Sequence, residues 1–116
     1  MSFDSSIPPA PAQAPRTRTV FFERRELDRI LRLYGRMVAA GDWKDYAIGS
    51  SDEAAVFAVF KRTGESPLYR IEKRPALARR QGAWAVISQN GMVLRRGHEL
   101  EPVLAVFDTR KFRVVE

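Results

Sequence analysis

Eleven side chains carry the binding chemistry this sequence offers, and ten of them are cationic. They are Arg25, Arg29, Arg32 and Arg36, then Lys73 and Arg74, then Arg79 and Arg80, then Arg95 and Arg96, with Trp84 among them. Guanidinium groups grip phosphate and carboxylate through paired N–H donors, and an aromatic ring beside them can stack on a nucleobase. The chemistry implied is anion capture. Residues 67–97 hold seven basic side chains against Glu72 alone, a surplus of six that equals the formal net charge of the whole chain, +6. Charge segregated in this way makes a directional field, which a mixed surface would not.

Other chemistries find little to work with. The chain has no cysteine, so thiol catalysis, disulfides and thiolate metal sites are excluded, and one histidine, His98, cannot build a histidine-ligated metal cluster within one chain. The carboxylate pairs Asp52 with Glu53 and Glu99 with Glu101 fall at a turn and at a helix start, where acidic residues are expected for structural reasons. No nucleophile with base spacing and no glycine-rich phosphate loop can be assembled. The expectation is a binding protein without enzymatic activity, cofactor or metal. At 116 residues and 45% apolar composition the chain supports one modest core. The longest apolar run, Ala54 to Phe60, is far short of the roughly 20 residues that span a bilayer. The first residues carry Asp4 and scattered prolines where a signal peptide needs an apolar run, so a cytoplasmic protein with no membrane partner is expected.

The elements that must position the arginines follow from periodicity. Residues 1–18 hold four of the seven prolines and no hydrophobic period, which predicts a disordered tail ahead of a single domain over 19–116. Thr19 to Phe22 reads as a strand or a hydrophobic staple. From about Arg24 to Ala40, Leu27, Ile30, Leu31, Tyr34, Met37 and Val38 recur at steps of three and four, and Gly41 stands where a helix-ending glycine belongs. At about 100° per residue, Arg25, Arg29, Arg32 and Arg36 gather within roughly 60° opposite that apolar stripe. Such a stripe repels itself by about 0.2–0.5 kcal/mol per pair unless something anionic meets it. Gly35, in mid-helix, suggests close packing against a neighbour.

Beyond Gly41 the sequence turns to strands. Tyr46 to Ile48 begins the sheet; residues 54–62 are apolar on both alternating faces and predict a central strand buried on two sides. Residues 68–74 form another strand ended by Pro75, and 76–82 a helical turn or loop. Asn90-Gly91 between two apolar runs predicts a hairpin with a type I′ turn. That turn pairs Ile87 with Leu94, Val86 with Arg95 and Ala85 with Arg96, placing Ala85, Ile87, Met92 and Leu94 on the face toward a helix. Trp84, Val86, Ser88, Val93 and Arg95 then share the other face, with Trp84 diagonal to Arg95 for a cation–π contact. If that face is open it is a stacking platform; if the first helix covers it, Trp84 is a core residue. A second helix carries Leu100, Val103, Leu104 and Phe107, with Pro102 tolerable only in its first turn and His98 near its cap. Residues 112–115 suggest a last strand. The fold class expected is α+β, one small domain with a mainly antiparallel sheet of about five to seven strands and two main helices packed on it.

At LYGRMVAAG (33–41), LYRIEKRPALARRQGAW (68–84) and VLRRGHEL (93–100), the chain resembles a family of small alphaproteobacterial proteins known only as a domain of unknown function. The resemblance covers roughly residues 20–112 and implies a bacterial cytoplasmic protein. It brings no activity, ligand or site residue.

Two partner classes fit the charge. One is nucleic acid or another polyanion, bound nonspecifically or by shape, since no base-reading motif is present. The other is an acidic protein, or a second copy of the chain, using an open sheet edge and an exposed Leu33 and Trp43.

Overall fold

The computed structural model describes residues 18–62 and 64–108. The proline-rich tail expected over 1–18, apart from Arg18, and the strand expected at 112–115 lie outside the described residues. Helix α1 (Arg24–Ala39) is followed by strands β1 (Asp45–Ser50), β2 (Ala55–Phe60) and β3 (Tyr69–Lys73), a 3-10 turn at Pro75–Leu77, the hairpin β4 (Trp84–Ser88) and β5 (Val93–Gly97), and helix α2 (Leu100–Leu104). The five strands form one antiparallel sheet in sequence order, β1-β2-β3-β4-β5. Every connection joins neighbouring strands, the simplest topology an α+β domain can have.

Both helices lie on the same face. Ile30, Leu33 and Met37 of α1 and Leu100, Val103, Leu104 and the following Phe107 share a core with Phe57, Val59, Ile71, Trp84 and Val86 of the sheet. Each such side chain stabilises the fold by about 1.5–3 kcal/mol when fully buried. Rings knit the layer together: Phe107 packs edge-on against Trp43 and Tyr69, and Tyr46 stacks on Phe57. Leu33 and Trp43, expected at the surface, are buried in this core. They fall on the inner side because α1 and the turn after it both face the sheet. Gly35 lies at the opposite side of α1, exposed, with nothing near the place a Cβ would take, so it does not mediate packing.

Helix α1 begins with the Glu26 carboxylate accepting the Glu23 N–H at 2.8 Å and ends on Gly41 at φ +84°, a left-handed position suited to glycine. Residues 19–22 form no strand. The Val20 N–H instead donates to the Ser51 carbonyl at 2.8 Å, and Phe22 packs on the core. Helix α2 starts at Leu100, which leaves Pro102 in the first turn, where its missing N–H costs nothing.

The second face of the sheet departs most from expectation. In β2, Ala55, Phe57 and Val59 are buried while Val56, Ala58 and Phe60 are half-buried, so the strand is covered fully on one side only. The hairpin is reversed relative to the predicted arrangement. Trp84 and Val86 face the helices; Ala85 and Ile87 face away, and Met92 is 59% exposed. The turn explains part of this. The Gly91 N–H donates to the Ser88 carbonyl and the Ser88 N–H to the Met92 carbonyl, with Gly91 at φ +90° and no positive φ at Asn90. This is the three-residue loop with a left-handed glycine, not a type I′ turn. Ile87 therefore pairs with Val93, and a bulge at Leu94 restores the expected pairing of Val86 with Arg95 and Ala85 with Arg96. The extra residue turns Leu94 toward the core, where it packs half-buried.

Candidate polyanion-binding surface

Of the four arginines of α1, Arg25, Arg32 and Arg36 are exposed and Arg29 is half-buried, and they line grooves beside the second helix instead of facing empty solvent. Arg29 forms an ion pair with Glu101 of α2, and Arg36 lies 3.9 Å from Asp108 just beyond it. A groove of about 240 Å³ between the helices is lined by Arg29, Arg32 and Arg36 on one side and by Glu101 and Asp108 on the other. Arg25 sits in a second groove with Glu23, Glu26, Glu99 and Glu101. Glu101 and Asp108 thus answer two of the four arginines of the stripe, whereas Arg25 and Arg32 form no ion pair among the described residues. No local signal foretold this, because the partners are 72 residues apart.

Lys73 and Trp84 serve the interior. The Lys73 ammonium donates to Glu26 at 2.7 Å and to the Phe21 carbonyl at 3.0 Å, and it stands 5.9 Å from the centre of the Trp84 ring. Trp84 is only 6% exposed and stacks on Phe22, centroids 6.1 Å apart and planes 13° from parallel. The cation over the indole is Lys73, not Arg95. With its ring sandwiched and its edge under α1, Trp84 offers no platform for a base. Arg74 is likewise engaged: it reaches Glu72 at 3.1 Å and Glu53 at 3.5 Å, while Arg70 holds the other oxygen of the buried Glu72 at 3.6 Å.

The remaining four arginines lie on two segments that the fold ties to each other, the 78–82 loop and the end of β5. Gly82, at φ +110°, lies so close to β5 that a Cβ there would come within 2.3 Å of the Gly97 carbonyl. Two further ties fix the same approach. His98 Nδ1 lies 3.0 Å from the Ala78 carbonyl, and the Arg96 guanidinium donates to the Gly82 carbonyl at 3.4 Å. Residues 78–82 are thereby laid against the end of β5, with Arg79 and Arg80 on the loop tied by Arg96, while Arg95, opposite Val86, takes the other face of the strand. None of the four has a carboxylate partner among the described residues. Arg79, Arg80 and Arg95 are exposed. His98 takes a structural hydrogen bond, as its place near the helix start suggested.

No group of three or more histidine, aspartate or glutamate side chains among the described residues is placed to hold a metal ion, and no helix among them is long and apolar enough to cross a membrane. No curated protein and no solved structure matches the chain. A family model does: that of the proteins of unknown function grouped as DUF2794 matches residues 20–104, most of the folded region, and the chain belongs to that family.

Proposed function

We propose that this protein is a small binding module for nucleic acid or another polyanion, without base-specific readout and without catalysis, and that Arg79, Arg80, Arg95 and Arg96 form its site. One observation carries the reading: the 78–82 loop, which bears Arg79 and Arg80, is tied to the end of β5, which bears Arg95 and Arg96, and none of the four has a carboxylate partner among the described residues, whereas Arg29 and Arg36 of α1 meet Glu101 and Asp108. Phosphate contacts by clustered arginines supply affinity that depends on counterion release and carries little sequence information. A cytoplasmic location belongs to the same reading.

The test is fluorescence anisotropy of labelled single- and double-stranded DNA and RNA across a salt series, with wild type and an Arg79/Arg80/Arg95/Arg96 to Ala variant. If all four contact phosphates of a duplex, log affinity falls against log salt with a slope of about −3 to −4, and the variant loses most of it. Absence of binding at low salt overturns the proposal. An acidic protein partner is the second reading, favoured by the apolar sheet face of Val56, Ala58, Phe60 and Ile87 that lies outside the helix-packed core. Binding of an acidic polypeptide but not of nucleic acid of equal charge would select it.

A further inference from the structure

We propose that β1 is the interface of a homodimer, in which two copies pair their β1 strands antiparallel about a two-fold axis at Ile48 and join their sheets into one of ten strands. β1 is the first edge of the sheet. It runs six residues in unbroken register with β2 and contains no proline and no bulge; its one charge, Asp45, sits at its start. Natural edge strands are protected by such interruptions, and this one has none. The hairpin closes with the Ser51 N–H donating to the Ala54 carbonyl at 2.9 Å. Alternation from that bond turns the main-chain groups of Gly49, Ala47 and Asp45 toward β2 and those of Ser50, Ile48 and Tyr46 outward. The outward groups have no partner among the described residues. Tyr46 and Ile48 are also 44% and 45% exposed, high for an aromatic and a branched aliphatic side chain on the helix-covered face.

The occupant follows from register and charge. With Ile48 opposite Ile48 of the second copy, Tyr46 stands opposite Ser50 and Ser50 opposite Tyr46, so all three outward residues fall in hydrogen-bonded pairs. The same register sets Lys44 across from Asp52 at both ends. Both are exposed and neither has an ion-pair partner among the described residues. The arginine cluster lies on β5, four strand spacings away, about 19 Å, and beyond the Debye length at physiological salt, so the basic charge does not oppose association. A two-fold axis satisfies both halves of the contact with one surface, as closed homodimers require.

Sedimentation velocity of the full chain from low micromolar to submillimolar concentration reads the outcome. Wild type is expected to dimerise reversibly. Ile48→Pro is expected to be monomeric and folded, because the N–H it removes points outward and no bond within the subunit is lost. Ile48→Lys supplies a second variant that charges the edge without altering the backbone. Lys44→Asp should weaken association about tenfold or more, and adding Asp52→Lys should restore it. Because the chain has no cysteine, oxidised Ile48→Cys should form a covalent dimer that Glu65→Cys does not. A chain that stays monomeric throughout overturns the proposal, as does one that dimerises equally well in both Ile48 variants. An edge that takes a strand from a different protein while the chain alone remains monomeric also overturns it. None of these variants touches Arg79, Arg80, Arg95 or Arg96, so failure of the dimer and failure of polyanion binding are read separately.

Discussion

β1 and β5 close the two sides of one sheet and are built in opposite ways. β5 carries a bulge at Leu94, two arginines, the 78–82 loop laid against its end and α2 leading away from it. β1 carries exposed, uncharged residues after the half-buried Asp45 at its start, and a regular ladder. Irregular hydrogen bonding and like charge keep a strand from recruiting another, and regular unpaired main chain invites one. The contrast teaches that positive charge and adhesive edge have been kept apart on this fold. On the proposed reading one side repels other strands and attracts anions, and the other is left to pair.

The largest way to break this contrast is at Gly82. Gly82→Ala drives a methyl into the Gly97 backbone at a positive φ, and the backbone has no flexible side-chain end to yield. A loss of about 3 kcal/mol or more in urea unfolding is expected, with weaker polyanion binding from a loosened 78–82 loop. Gly41→Ala, at φ +84° with open space around it, should cost only about 1 kcal/mol. Equal costs at the two glycines would show that the contact with Gly97 does not hold the β5 end.

Lys73→Met comes next. It strips the ammonium that joins Glu26, Phe21 and Trp84 and leaves Glu26 without its cation, which should cost about 1–3 kcal/mol in the same measurement. The salt slope of polyanion binding should not change. A slope reduced by about one unit would place Lys73 at the binding surface instead of inside the joint between α1 and β3.

At the β1 end, Tyr34 donates its hydroxyl to the Lys44 carbonyl at 2.6 Å and packs edge-on against Tyr46. Tyr34→Phe should cost about 1 kcal/mol near neutral pH. Desolvation first, then the charge of Asp45 and the neighbouring Tyr46, raise the Tyr34 phenol above the usual 10.0. A raised folded-state value means that its contribution is complete below pH 10 and is lost as pH rises through the folded value. The stability gap between wild type and variant should therefore close in strong alkali, and a gap that widens there would refute the assignment. The smallest effect belongs to the exposed Arg29 and Glu101 pair, for which a double-mutant cycle should give about 0.2–1 kcal/mol, shrinking with added salt.

Much of this was legible before any coordinate. The three-and-four spacing of Leu27, Ile30, Leu31 and Tyr34 specified α1, Gly41 its end, and Asn90-Gly91 the hairpin, because these are local devices whose chemistry acts over a few residues. The antiparallel α+β architecture with two helices followed from them. The side of the hairpin that meets the helices was not legible: Ala85 and Ile87 are as apolar as Trp84 and Val86, so alternation allowed either face. One extra residue in the loop and one at Leu94 then decided how β5 met β4.

The candidate site divides along the same line. Composition and position alone determined that the chain is basic, that its surplus charge lies between residues 67 and 97, and that thiol chemistry is unavailable to it. Tertiary structure alone decided which arginines are answered and which are not. Arg29 meets Glu101, Lys73 meets Glu26, and Gly82 meets Gly97 across separations in sequence that no local pattern encodes. Side-chain period records which face a residue takes on its own element, whereas the charge it meets depends on how separate elements pack.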